Sequence, residues 1–342
     1  MNRGIDVADF IERYSRQILV LGIKKQLKLA ESRIAIIGCG ATGSSVAEVL
    51  ARAGAGFIRV VDRDVVEVSN LHRTRLFREE DAFGRVPKAI ACRNRLKEIN
   101  SGVEVEAIVD DVDADNIQNF IRDVDLVIDG TDNMDTRYLI NEACVNLGKP
   151  WVMIGVERWY GNVKLVVPEK TACLKCFIPR ARARENACEI FGVTPIAVDL
   201  TVSVALSIAI KYLTEGYVDE HLYVVDAYSA AIERAYVRRN SSCPTCVYKR
   251  FDYLFKGGKN VKPMCGARAV KIVSESRAEL DLEKLTKSNL IKNLRIYDGA
   301  VAYGVVSGFE VMILRNGKVF VKGTTDADQA LKLYKEIIDS IK

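Results

Sequence analysis

Histidine is scarce in this chain, with only 2 among 342 residues, and neither reads as catalytic. His72 lies between Leu71 and Arg73 with no evident partner, so a structural or solvent-facing place is its default. Long apolar runs are missing as well. The most apolar stretch, Val202 to Leu213, includes Ser203, Ser207 and Lys211 and is too short to span a bilayer; it reads as a buried helix, at the core or at a subunit interface. Met1 to Asp9 is polar and holds no apolar signal core, which predicts a chain that is neither secreted nor membrane-bound. There is no internal repeat and no low-complexity tract. Charge of one sign is not in large excess: a formal +5 over this length gives no case for a nucleic-acid protein, and it suits an acidic macromolecular partner.

What is present is an ordinary soluble composition, 49% hydrophobic and 28% charged, with enough residues for one large and one smaller domain. The most informative segment runs from Ile34 to Arg73. Ile34-Ala35-Ile36-Ile37 is a short buried strand ending in Gly38-Cys39-Gly40-Ala41-Thr42-Gly43, after which Ser44 to Ala53 has helical composition and phase. Gly38, Gly40 and Gly43, with Ala41 between them, let backbone amides approach phosphates. Phe57 to Val61 is a second strand, and Asp62 follows about 20 residues past the glycines, the spacing at which a carboxylate meets a ribose hydroxyl pair.

The residues after Asp62 favour a triphosphate over a dinucleotide. Asp64 to Arg73, with Ser69 and Asn70 inside it, is polar and phosphate-seeking, and Lys88 follows in Gly84-Arg85-Val86-Pro87-Lys88. A dinucleotide is held largely by a helix N-terminus and backbone donors, whereas extra fixed cations suit three phosphates. Asp125 to Asp129 reads as another buried strand running into Gly130-Thr131-Asp132-Asn133 at its carboxyl end, where open α/β sheets place ligand groups. Asp132 is a candidate magnesium ligand there.

Nine cysteines complete the chemistry. Cys173-Leu174-Lys175-Cys176 is answered by Cys243-Pro244-Thr245-Cys246, two knuckles that satisfy tetrahedral zinc with no open position and so mark a structural metal; two disulfides or a redox pair are the competing readings. With an odd number of cysteines and four given to a metal, the expected compartment is the reducing cytoplasm. Cys188 stands outside both knuckles, after Arg180, Arg182 and Arg184, whose charge favours thiolate over thiol. It reads either as a nucleophile or as a bystander thiol, and the arginines either as a solvated basic loop or as a receiver for an acidic protein. Cys39, Cys92 and Cys144 read as packing, and Cys265, in Met264-Cys265-Gly266, as a thiol without a base or charge partner.

These residues resemble the ThiF/MoeB group of ubiquitin-activating-like adenylyltransferases. Arg13-Tyr14-Ser15-Arg16-Gln17-Ile18, the glycine loop, Asp62 to Arg73, Lys88, Asp129 to Asn133 and Arg137 carry the resemblance, which covers residues 10 to about 250. It implies ATP- and magnesium-dependent adenylation of the C-terminal glycine of a small ubiquitin-fold sulfur carrier ending in Gly-Gly, with release of pyrophosphate. Carried over by position, Asp62 binds the ribose, Asn70, Arg73 and Lys88 bind phosphates, Asp132 binds magnesium, and Arg16 is a finger supplied by the partner subunit of a homodimer. It also implies a structural zinc on the four knuckle cysteines. Cys188 precedes Gly192-Val193-Thr194-Pro195, similar to a stretch before which relatives place a cysteine that attacks the acyl-adenylate or takes part in sulfur transfer from a donor protein. The sequence departs from the pattern at Ala41, where glycine is common, at Thr74, where glutamine is usual, and in a longer loop before Lys88.

The resulting expectation is an α/β fold: a Rossmann-like, doubly wound, mainly parallel sheet with a zinc-stapled second half, plus a small C-terminal α+β domain. Residues 1–250 form the adenylation domain, with a helical segment over 1–30, a nucleotide-binding half over 32–150, and a zinc and carrier-binding half over 151–250. Trp151 to Ile154, Asn162 to Val167, Leu222 to Asp226 and Ile232 to Arg238 read as strands. A linker over 251–262 precedes the small domain, 263–342. There Asn316-Gly317 signals a hairpin between Phe309 to Leu314 and Lys318 to Lys322, and Thr325 to Asp328 caps a helix with Leu331, Tyr334, Ile338 and Ile341 at helical spacing. The ending Ile341-Lys342, without paired glycines, predicts an enzyme acting on a carrier and not a carrier itself. The rival functions are an NAD-dependent oxidoreductase, an ATP-binding scaffold without turnover, and activation of a small carboxylate as in tRNA-modifying dehydratases of the same group.

Overall fold

The structure is a computed structural model that describes residues 6–179, 192–255, 261–264, 268–273 and 279–341. The chain divides into two compact units, Met1–Lys256 and Gly257–Lys342.

In the first unit, helices α1 (Val7–Leu21) and α2 (Ile23–Glu31) precede strand β1 (Arg33–Ile37), α3 (Ala41–Ala53) and β2 (Phe57–Val61). Then come α4 (Glu79–Gly84), α5 (Lys88–Ile99), β3 (Glu104–Ile108), α6 (Ile117–Ile121), β4 (Leu126–Asp129), α7 (Met134–Leu147), β5 (Trp151–Glu157) and β6 (Tyr160–Val166). The turn α8 (Leu174–Phe177), helix α9 (Pro195–Glu215) and strands β7 (His221–Asp226) and β8 (Ala231–Tyr236) complete it. The sheet order is β3-β2-β1-β4-β5-β6-β7-β8. Its first five strands pair in parallel and the last three join antiparallel, giving the mainly parallel sheet expected.

The apolar run of β1 reflects burial on both faces, because successive side chains in a strand point to opposite sides. Ile34 and Ile36 join Leu50 of α3, Leu96 of α5 and Leu206 of α9 in one core. Ala35 and Ile37 join Ile117 of α6 and Leu139 and Ala143 of α7 in the other.

The apolar stretch after Val202 belongs to a longer helix than its sequence suggested. Helix α9 has 21 residues, and by length and composition alone it could cross a membrane, which corrects the reading that it is too short. Thr194 caps it by accepting from the Ala197 amide at 3.2 Å, Pro195 occupies the first turn, and Gly216 at φ 71° ends it. It packs on α2, α3, β5 and β6, with Val198, Val202, Ala205 and Leu206 inside the first core.

The second unit holds β9 (Val261–Met264), β10 (Ala269–Ile272), β11 (Lys292–Tyr297), β12 (Val301–Val306), β13 (Phe309–Leu314), β14 (Val319–Lys322) and helix α10 (Ala327–Ile341). Its sheet is ordered β11-β12-β13-β14-β10-β9. The expected hairpin joins β13 to β14 through Gly317 at φ 82°. Helix α10 buries Ala330, Leu333, Ile337 and Ile341; Ile341 is as read from sequence, and the other three lie one position before Leu331, Tyr334 and Ile338. Leu331 and Tyr334 flank that stripe as partly buried neighbours, and the small Ala330 faces the sheet.

Candidate functional site

The chain leaves β1 toward β2 and β3 on one side, while β4 and β5 lie on the other, so a crevice opens at the carboxyl ends of β1 and β4. Gly38, at φ 91°, lies so close to β4 that a Cβ there would stand 2.6 Å from the Gly130 oxygen. Gly43 touches the same knot, since a Cβ on it would meet the Gly38 oxygen at 1.9 Å. These two glycines are required by the protein's own packing. Gly40 differs: it is the N-cap of α3, and a Cβ there would meet nothing within 4 Å. No side chain caps α3, so its first-turn amides, beginning at Ala41, are directed at an open space suited to an anion.

Asp62 follows β2 at the edge of this space. One carboxylate oxygen accepts the Cys39 amide at 2.6 Å and the other the Asp64 amide at 2.7 Å, which fixes the glycine loop to the strand end. Burial raises the Asp62 pKa, with the Lys88 ammonium pulling it back. The longer loop before Lys88 folds into α4 and returns, with Val66 N donating to Val86 O and Lys88 N to Asp64 O, both at 2.8 Å. That return brings Lys88 Nζ to 3.3 Å from Asp64 Oδ2. Burial opposes the charge on Lys88, but Asp64, Asp62 and Asp132 outweigh it and raise its pKa. The crevice thus gathers Lys88 with three carboxylates, and Arg63, bound to Asp111, stands beside Asp64 as a second cation at 3.7 Å.

The phosphate-seeking run forms a tight turn. Asn70 is buried and its side-chain oxygen accepts the Glu67 amide at 3.0 Å, while Arg73 Nη1 donates to the Ser69 carbonyl at 2.6 Å. Ser69 is exposed, and Arg16 is exposed on α1. Asn133 caps α7 by accepting the Thr136 amide at 2.9 Å, and Asp132 lies exposed just before it. An exposed hard oxygen donor beside a phosphate space fits magnesium, which is commonly held by one or two carboxylates and substrate phosphates.

Sequence reasoning assigned no role to Asp129, Thr131 or, beyond resemblance, Arg137. Asp129 is fully buried; one oxygen accepts the Thr131 amide at 2.9 Å and hydroxyl at 2.6 Å, and the other accepts Arg137 Nε. Only the spacing of Arg137 on the first turn of α7, eight residues past Asp129, hinted at this pairing.

The four knuckle cysteines come together at the far end of the second core. All four sulfurs lie within 4.8 Å of one another, with Cys173–Cys243 at 3.6 Å, Cys176–Cys246 at 3.5 Å and Cys173–Cys176 at 3.9 Å. A disulfide requires about 2.05 Å, so the disulfide reading fails. Four thiolates about 2.3 Å from a tetrahedral ion stand roughly 3.8 Å apart, which is the spacing found. The centre is tied to α7. Lys175 lies 3.4 Å from Glu142, whose buried carboxylate also accepts the amides of Asp252, Tyr253 and Leu254. Asn141 of the same helix accepts the Leu174 amide at 2.9 Å. Cys39, Cys92 and Cys144 are buried in the cores, as expected of packing residues. Cys188 and Cys265 lie outside the described residues.

Fold and crevice together define an α/β nucleotide-binding protein with a glycine loop at the switch point of a doubly wound sheet. The chain matches the ThiF family over residues 14–245, and it belongs to that family. It is 35% identical over 334 residues to the sulfur carrier protein ThiS adenylyltransferase of Bacillus subtilis (strain 168), covering 95% of this chain and 99% of that one. The protein of the same name from Escherichia coli (strain K12) is 33% identical over 261 residues, covering 75% of this chain and 98% of that one. Among solved structures, E. coli MccB with ATP shares the fold at a TM-score of 0.61 and 23% identity, over 68% of this chain and 74% of that one.

Proposed function

We propose that this chain is an ATP-dependent adenylyltransferase whose substrate is the C-terminal glycine of a ubiquitin-like sulfur carrier. The observation that carries the reading is the convergence of Lys88, Asp62, Asp64 and Asp132 on the uncapped start of α3. In this reading the amides of Ala41 to Gly43 and the ammonium of Lys88 hold phosphates, Asp62 the ribose, and Arg73 and Asn70 the outer phosphates. The carrier carboxylate is already ionised at neutral pH, so no general base is needed; it attacks the α-phosphorus and pyrophosphate leaves. Asp132, with the phosphates, would hold magnesium, whose charge would help to neutralise the departing pyrophosphate. Arg16 of a partner subunit in a homodimer adds a further cation. Zinc on Cys173, Cys176, Cys243 and Cys246 is structural, with no open position. Cys188 acts after adenylation: its thiolate attacks the acyl carbon and AMP leaves, giving a thioester, or it first takes the outer sulfur of a donor protein's persulfide, releasing the donor's thiolate, and the resulting persulfide displaces AMP.

The test is ATP–pyrophosphate exchange with and without a ubiquitin-fold carrier ending in Gly-Gly, comparing wild type with Asp132→Ala and Cys188→Ala. Carrier-dependent exchange that dies with Asp132→Ala and survives Cys188→Ala is the expected result. Exchange that needs no carrier, or none with any candidate, would move the assignment to a small carboxylate or to an ATP-binding scaffold.

A further inference from the structure

An exposed carboxylate on a short loop is a poor metal ligand unless the loop is held, and Asp132 is such a residue. Asp129, Asn133 and above all Arg137 do the holding. Arg137 directs Nε to the buried Asp129 carboxylate and Nη2 to the carbonyls of Thr131 and Ile154, both at 2.9 Å, and its Nη1 lies 3.4 Å from Met134 Sδ. Thr131 directly precedes Asp132, so the guanidinium holds the loop by its backbone next to the ligand, while the Met134 contact stays within the first turn of α7. Ile154 belongs to β5, so the same group also fixes the loop to the neighbouring strand. Asp129 contributes its second oxygen to the amide and hydroxyl of Thr131, closing the network.

We infer that Arg137 is a positioning residue that sets the affinity of Asp132 for the divalent ion accompanying the nucleotide, an inference that rests on the adenylation reading of the same crevice. Its fork is turned to backbone and to Asp129, and its charge offsets that buried carboxylate, so it acts through the loop. Asp132 itself lies within electrostatic reach of Lys88. A lysine at 137 carries the charge but not the planar fork, and it cannot serve Asp129, Thr131 and Ile154 in the same geometry.

The experiment measures Mn²⁺ binding by electron paramagnetic resonance in the presence of a non-hydrolysable ATP analogue, for wild type, Arg137→Lys and Thr131→Val. The expected result is Mn²⁺ affinity lower by about tenfold in Arg137→Lys, the scale of one or two lost charge-assisted hydrogen bonds, with analogue binding without metal unchanged. Thr131→Val removes one hydrogen bond of the same network and shifts affinity the same way by less. It carries the test alone if Arg137→Lys does not fold. Unchanged Mn²⁺ affinity in a folded variant, or equal loss of analogue binding with and without metal, overturns the inference. If wild type gives no exchange with any carrier while the variants still show the Mn²⁺ shift, the adenylation reading falls and the positioning role stands.

Discussion

Gly43 and Gly38 are in backbone contact, so close that a methyl group on Gly43 would lie 1.9 Å from the Gly38 carbonyl oxygen. That contact seats the start of α3 against the end of β1, and no flexible side chain is present to yield. Gly43→Ala is therefore expected to destabilise the fold by about 3 kcal/mol or more, with loss of ATP binding as a consequence. Gly40→Ala should behave differently. Its Cβ direction is open and its φ is −75°, but its ψ of −149° lies beyond the extended range of L residues, so melting temperature should fall only slightly, far less than in Gly43→Ala. ATP affinity should nevertheless fall by about tenfold or more, because the methyl occupies the space before the helix amides where phosphate would sit. Thermal unfolding and calorimetric ATP titration of the two variants separate these effects. Normal ATP affinity in Gly40→Ala would place the phosphates elsewhere.

The same glycines explain what could be read from the sequence. β1, α3 and β2 were legible because strand burial, glycine turn and helix phase agree within a local window. The two knuckles were legible because metal geometry constrains residue type as well as spacing. The Asp129–Arg137 pair was not, since its meaning depends on Ile154, brought alongside only when β4 and β5 pair. Glu142 was hidden for the same reason: its partners at Lys175 and 252–254 are distant in sequence. Ile341 of the α10 stripe was legible, but its first three positions were not, because Leu331 and Tyr334 compete with Ala330 and Leu333 at identical spacing and only tertiary packing decides.

Lys88 offers a sharper test of the crevice than any single glycine. It is an enclosed cation among Asp62, Asp64 and Asp132, and its removal leaves those three carboxylates with only Arg63, itself bound to Asp111, beside Asp64. Lys88→Met should reduce ATP affinity by about a hundredfold, more than loss of one ordinary hydrogen bond, because repulsion replaces attraction. Salt should partly restore the variant by screening the carboxylates. A Lys88→Met protein with ATP affinity within about threefold of wild type would remove this lysine from the phosphate site.

Metal removal should act on stability before chemistry. The four thiols stand among the apolar residues of the second core, and Lys175 between the first two is bound to Glu142 and to Asp252. Cys246→Ser, or exposure to a strong chelator, is expected to release one zinc per chain and to lower stability by several kcal/mol, on the order of what structural zinc contributes to small domains after discounting for the surrounding core. Metal analysis and thermal unfolding check both parts. A chain that holds no zinc when purified without chelator, yet melts unchanged in Cys246→Ser, would remove the metal from the account.

A second buried lysine gives a pH signature. Lys164 of β6 is fully buried, and its ammonium donates to the Glu220 carbonyl at 2.9 Å. Burial lowers its pKa to about 8 from 10.5, while Asp219, Glu220 and Cys176 pull it back upward. Between those two values the unfolded chain holds more protons than the folded one, so this group makes stability rise with pH across that window. Below the lower value the lysine is charged in both states and its full penalty, up to about 3 kcal/mol, is present. Lys164→Met should therefore be more stable than wild type near neutrality, in zinc-loaded protein, and the difference should shrink as pH climbs toward the unfolded value. Denaturant unfolding of both proteins at about pH 7.5 and about pH 10 measures this difference directly. A gap between the two that stays constant with pH would mean that the lysine keeps its proton throughout, and that Asp219 and Glu220 offset its burial more fully than the geometry indicates.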